Sequence, residues 1–101
     1  MEDKIIKMLY EIKEHPGVHI GKKSLERLAM YLTGYVSCMV EMTNGMTFFL
    51  IDIQEYVANY YNIKSDQYWV DIIRFYTLSE DEAYDKFYEL LDEFLKNTGD
   101  G

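Results

Sequence analysis

The stretch SDQYWVDIIRFYTLSEDEAYDKFYELLDEFLKN, residues 65–97, decides the fold class. Its apolar residues recur three and four apart: Trp69, Ile72, Ile73 and Tyr76, then Ala83, Phe87, Leu90, Leu91 and Phe94. That spacing puts each set on one face of a helix with 3.6 residues per turn. Between the two sets, Ser79 and Glu82 form an S-x-x-E capping box, which satisfies backbone N–H groups that a helix start leaves unpaired. The segment therefore predicts two helices, one from Ser65 or Asp66 and the next from Ser79.

Working outward, residues 2–14 place Ile5, Met8, Leu9 and Ile12 on one stripe with lysines and glutamates opposite, a first amphipathic helix. Pro16 disfavours helix at His15 and ends it. Ser24 is a good N-cap for the next helix. From there Leu25, Leu28, Ala29, Leu32, Tyr35, Val36 and Met39 make a long apolar face to about Met42. Gly34 inside that helix costs roughly 1 kcal/mol against alanine, which suggests a close helix crossing. Asn44-Gly45 could turn a hairpin across residues 36–51. A helix C-cap followed by a new helix through Phe49, Ile53, Tyr56, Val57 and Tyr60 fits the period better. The expectation is all-α: one compact domain over 1–101, a bundle of about five helices, with a fraying tail at 97–101.

The bulk numbers bound the function. A chain of 101 residues, 49% hydrophobic, can bury one core without disulfides or a structural metal. The single cysteine, Cys38, suits a reducing compartment, and the helix around it predicts an inert, partly buried thiol. The N-terminus lacks the apolar core of a signal peptide, and no run reaches the length of a membrane span. A cytoplasmic protein without membrane contact is expected. The net charge of −8 is uneven. Residues 1–27 carry six basic and five acidic groups, residues 28–78 two and five, and residues 79–101 two and eight. An acidic C-terminal helix repels phosphate backbones, which argues against nucleic acid, and it would steer a basic protein.

Few residues suggest chemistry. The loop HPGVHIGKKS, residues 15–24, resembles the R-P-G-M-Y-I-G stretch in the ATPase domain of type II topoisomerases. That family follows it with an E-x-x-D-N helix, and here the following helix, SLERLAMYLTGYVSCMVEM, has no such element. The loop reads instead as a chain turn, with Gly17 and Gly21 permissive and Val18 and Ile20 plugged into the core. Its GKKS echoes a phosphate-binding motif without meeting it, leaving Lys22, Lys23 and Ser24 as candidates for holding an anion at a helix N-terminus. His15 and His19 are split by Pro16-Gly17, and no further donor completes a metal set. No cofactor is implied. Glu80, Asp81, Glu82 and Asp85 favour a helix N-terminus, a structural role. Tyr10, Tyr31, Tyr61, Tyr68, Tyr84 and Tyr88 fall at or beyond the edges of the core stripes. Beside carboxylates, tyrosines are a common makeup for a protein-binding face.

Across nearly the whole chain, HPGVHIGKKSLERL, LTGY, IQEYVANYYNI, YWVDIIRFY and SEDEAYDKFYELLDEFL together resemble a family of small bacterial proteins akin to cytoplasmic immunity proteins of polymorphic toxin systems. His15 and His19 stand where that family more usually has arginine and an aromatic. The resemblance implies a non-catalytic inhibitor that occludes a basic toxin, and it brings no catalytic residues with it. The expected docking residues are Asp81, Tyr84, Asp85, Tyr88, Glu89 and Asp92. Two other readings stand beside it: a helical accessory protein that forms a homodimer through exposed aromatics, and a small anion- or ligand-binding domain using the 15–24 loop.

Overall fold

A computed structural model describes residues 1–97; past Asn97, the expected fraying tail lies outside the described residues. Six helices follow one another: α1 (Glu2–Glu14), α2 (Pro16–Ile20), α3 (Leu25–Thr43), α4 (Phe49–Tyr60), α5 (Trp69–Phe75) and α6 (Glu80–Leu95). Among the described residues there is no strand, and the all-α expectation holds. The long helix α3 is the hub, packing against α1, α2, α5 and α6, while α4 packs against α5 and α6. The radius of gyration of 13.3 Å matches the roughly 13 Å of a compact chain of this length, so the helices enclose one core.

The predicted stripes supply that core. Ile5, Leu9 and Ile12 of α1 meet Leu25, Leu28 and Leu32 of α3, with Phe49 and Ile53 of α4, Ile72 and Ile73 of α5, and Phe87 and Leu91 of α6. Ser24 caps α3 as expected, its hydroxyl accepting from the Arg27 N–H at 3.2 Å. Ser79 caps α6, accepting from the Glu82 N–H at 3.1 Å. The carboxylate of Glu82 reaches one residue further back than a standard capping box, to the Leu78 N–H at 3.0 Å. Residues 36–51 are helix, turn and helix. Asn44 closes α3 in the left-handed region at φ 53°, where asparagine is tolerated, and no hairpin forms.

Six local expectations are corrected. The 15–24 loop contains a sixth, short helix, because Pro16 sits at its first position, where the missing N–H costs nothing. Gly21 ends it at φ +88°, and Val18 points to solvent at 83% exposure while Ile20 is buried. Gly34 faces open space, so no helix crosses there. Helix α5 starts at Trp69 rather than at Ser65 or Asp66. Gln54 of α4 accepts from the Trp69 N–H at 2.8 Å and donates to the Gln67 carbonyl at 2.6 Å, tying 67–69 down as a bend. Tyr76, counted in the α5 stripe, is exposed, and Cys38 is exposed rather than partly buried.

The largest difference concerns Tyr84 and Tyr88. Both are core residues at 2% exposure, not rim residues. Their hydroxyls cross to α1: Tyr84 donates to the Ile12 carbonyl at 3.1 Å and Tyr88 to the Leu9 carbonyl at 2.5 Å. Pro16 explains half of this arrangement. It stands four residues after Ile12 and has no N–H, so Ile12's carbonyl lacks its normal helical donor. The His15 N–H serves it at 3.1 Å while also serving Glu11, and the Tyr84 hydroxyl completes it. Burial, with the neighbouring Tyr84 and Tyr10 adding to it, pushes the Tyr88 hydroxyl well above its ordinary value of 10.0.

Each substitution removes a buried hydrogen bond to an α1 carbonyl, so Tyr84→Phe and Tyr88→Phe should each destabilise by about 1–2 kcal/mol in urea unfolding. Tyr84→Phe should cost more, because Leu9's carbonyl keeps a full helical donor and Ile12's does not. A raised folded-state value also sets a pH dependence. Above pH 10 the unfolded chain's tyrosine ionises while buried Tyr88 resists, so stability is complete below that point and is lost as pH rises. Unfolding measured between pH 9 and 11 should show Tyr88→Phe losing less stability than the wild type does.

Candidate protein-binding surface

Helix α6 runs with one face against the core and the other to solvent. Its outer ridge carries Asp81, Asp85, Glu89 and Glu93 at four-residue steps, all exposed. Four acids in register along one ridge repel each other, and that repulsion is relieved at two points. Asp85 pairs with Lys23 at 2.8 Å, and Glu89 pairs with Lys86 at 3.2 Å. Lys86 also donates to the Tyr60 hydroxyl at 3.0 Å, and this bond together with Glu89 holds its ammonium above the ordinary lysine range. Both pairs are surface pairs, worth about 0–1 kcal/mol, so an incoming arginine can replace either lysine at little cost. Among the described residues, Asp81 and Glu93 make no ion pair.

The six expected docking residues thus divide. Asp81, Asp85 and Glu89 lie on the ridge. Tyr84 and Tyr88 lie beneath it, out of a partner's reach, with the Lys23 ammonium 5.6 Å from the Tyr84 ring and the Lys13 ammonium 5.6 Å from the Tyr88 ring. Asp92 is half-buried and accepts a hydrogen bond from the Tyr10 hydroxyl, which fixes α6 to α1. Burial and that carboxylate push the Tyr10 hydroxyl strongly up. Asp92 is therefore a packing residue. Glu93 is the residue that continues the ridge, and the i, i+4 series from Asp81 was the signal for it in the sequence.

The expected anion site is filled from within. Glu80, in the first turn of α6, projects its carboxylate to the N-terminus of α3. It accepts there from the Glu26 N–H at 3.1 Å and from the Ser24 hydroxyl at 3.0 Å. Arg74 of α5 binds the other oxygen at 2.6 Å and reaches Glu26 at 3.2 Å. Ser24 is buried and Lys23 is held by Asp85, which leaves Lys22 as the one exposed, unpaired lysine of that loop among the described residues. An external anion would have to displace Glu80. Among the described residues no group of His, Cys, Asp and Glu is arranged to hold a metal ion, and no helix is long and apolar enough to cross a membrane.

Comparison of the chain with protein-family models, with curated proteins and with solved structures gave no match. The surface must speak through its own chemistry.

Glu80 also carries a pH prediction. Although desolvation works against its charge, the Glu26 N–H, the Ser24 hydroxyl and Arg74 together hold its carboxyl below the ordinary value of 4.5. A carboxyl depressed on folding stabilises at neutral pH, and that stability is lost as pH falls below the unfolded value through the folded one. Glu80→Gln should cost about 1 kcal/mol at pH 7, a figure kept low because the side chain is partly exposed. The gap to wild type in chemical denaturation should close as pH falls below 4.5.

Proposed function

We propose that this protein is a non-catalytic protein-binding domain whose α6 ridge docks on a basic partner, as an immunity-type inhibitor would dock on a toxin. The observation that supports this most is the ridge itself. Asp81, Asp85, Glu89 and Glu93 stand exposed along the length of α6, and the two cations that touch it do so through exchangeable surface pairs. A helix presenting carboxylates at about 6 Å steps matches the reach of a cluster of lysines and arginines around a substrate-binding cleft. Seated there, α6 would exclude the substrate by occupying the cleft rather than by chemistry. The chain's net charge of −8 would steer the encounter, giving fast association that weakens as salt rises.

The burial of Tyr84 and Tyr88 shapes the mechanism. Without these rings at the contact, specificity would rest on charge register along a rigid helix, and bidentate Arg–carboxylate pairs would supply the directional part. Rigidity helps, since the tyrosine bonds to α1 hold α6 in place before the partner arrives.

The test is a pull-down from native cell extract at low salt, compared with a variant carrying Asp81→Lys, Asp85→Lys and Glu89→Lys. The wild type should capture a basic protein, release it as salt is raised, and lose it on charge reversal. Retention by the reversed variant, or capture that ignores salt, would refute docking through the ridge. The variant should stay folded because all three side chains are exposed.

A further inference from the structure

We propose that a second surface, the groove along the outer face of α4, docks a basic amphipathic helix from a partner protein. Its apolar side would sit on Ile51 and Tyr68, and its lysines or arginines would reach Asp52 and Glu55. The inference goes beyond the α6 reading, concerns a different surface, and can fail or stand without it.

Two open depressions flank the outer face of α4 and have Glu55 in common. Between α3, α4 and the start of α5 lies an open trough of about 370 Å³, lined by Thr33, Leu50, Ile51, Gln54, Tyr68 and Trp69, with Glu55 at its edge. A second depression of about 380 Å³ shares Glu55 and is bounded by Asp52, Tyr56, Asn59 and Phe94. Ile51 is 57% exposed and Tyr68 49%, an apolar area left in water beside the edge contact of the Tyr68 ring with Trp69. The floor is already set. Gln54 bonds both the Gln67 carbonyl and the Trp69 N–H, so a ligand would not have to order it.

Charge names the occupant. From Leu28 to Ile63, a stretch covering most of α3 and all of α4, the sequence contains no Lys, Arg or His, only Glu41, Asp52 and Glu55. Neither depression is lined by a basic side chain among the described residues. Among the described residues Asp52 and Glu55 make no ion pair, and Tyr56 beside them has its hydroxyl raised by burial and by the field of Glu93 of α6. Apolar contact flanked by unpaired carboxylates is the complement of a helix with leucines on one face and lysines beside them. At 12 residues, α4 offers a track of about 18 Å, three turns of such a helix. A second copy of this chain fits poorly. A two-fold contact through this face would bring Asp52 and Glu55 toward their own mates with no cation between them. An anionic lipid surface is repelled for the same reason.

Trp69 is the chain's one tryptophan and lines the trough, so its emission reports occupancy. The probe is a 14-residue Leu/Lys peptide with all leucines on one helical face and no aromatic residue. It is compared with a scrambled peptide of equal composition. Saturable binding with a shift in Trp69 emission is expected for the first and not for the second. Ile51→Asp and Glu55→Lys, both at exposed positions, should each weaken binding by about tenfold. The ridge variant Asp81→Lys, Asp85→Lys, Glu89→Lys should bind within about twofold of wild type. Equal binding of the scrambled peptide would overturn the inference. So would wild-type affinity in both groove variants, or loss confined to the ridge variant. Sedimentation showing a dimer that Ile51→Asp dissociates would assign the groove to self-association instead.

Discussion

The bonds from Tyr84 and Tyr88 to the α1 backbone are the constraint on which the rest of the molecule depends. Helices α1 and α6 come from opposite ends of the chain, and large aromatic rings between them would leave backbone polar groups dry. Placing each hydroxyl on a carbonyl, Ile12 for Tyr84 and Leu9 for Tyr88, turns that cost into a directional tie. Pro16 makes the tie specific, because it deprives Ile12's carbonyl of its helical donor at the place where Tyr84 arrives. The rotation of α6 is then settled, with two tyrosines inward and the Asp81–Asp85–Glu89–Glu93 ridge outward. Asp92 on Tyr10 secures the same orientation further along.

A similar economy governs the other end of α6. The N-terminus of α3 attracts a negative charge by its dipole and its unpaired N–H groups, and Glu80 supplies that charge. Arg74 then bridges Glu80 to Glu26, joining the starts of α3 and α6 to the end of α5. The loop that looks most like a ligand-binding motif serves as a joint of the fold, with Ser24 bonded to Glu80 and Lys23 paired with Asp85.

Two groups of the remaining acids, on α6 and on α4, lie on surfaces of different character. Along α6 they form a ridge that protrudes and contains little exposed apolar area. Along α4 they border a trough whose exposed Ile51 and Tyr68 offer burial. A protruding charged helix suits occlusion of a cleft, while a trough suits reception of a helix. Glu93, between α6 and Tyr56, contributes to the field of both. The two surfaces share no decisive side chain.

Much of the fold was legible because helix signals are local. The apolar stripes, the caps at Ser24 and Ser79, the stop before Pro16 and the turn at Asn44 depend on residues within four positions of each other. The all-α class and most of the aliphatic core follow from them. Exposure along a surface ridge was legible where periodicity is strict, as for Asp81, Asp85 and Glu89. What lay beyond reach depends on contacts between residues far apart in the chain. Gln54 delays the start of α5, Glu80 fills the α3 N-terminus, and α1 carbonyls draw Tyr84 and Tyr88 inward. A tyrosine at the edge of a stripe has an apolar ring and a polar end, so its sequence position fits the rim and the core equally. Only the tertiary structure decides, by placing or withholding an acceptor for the hydroxyl.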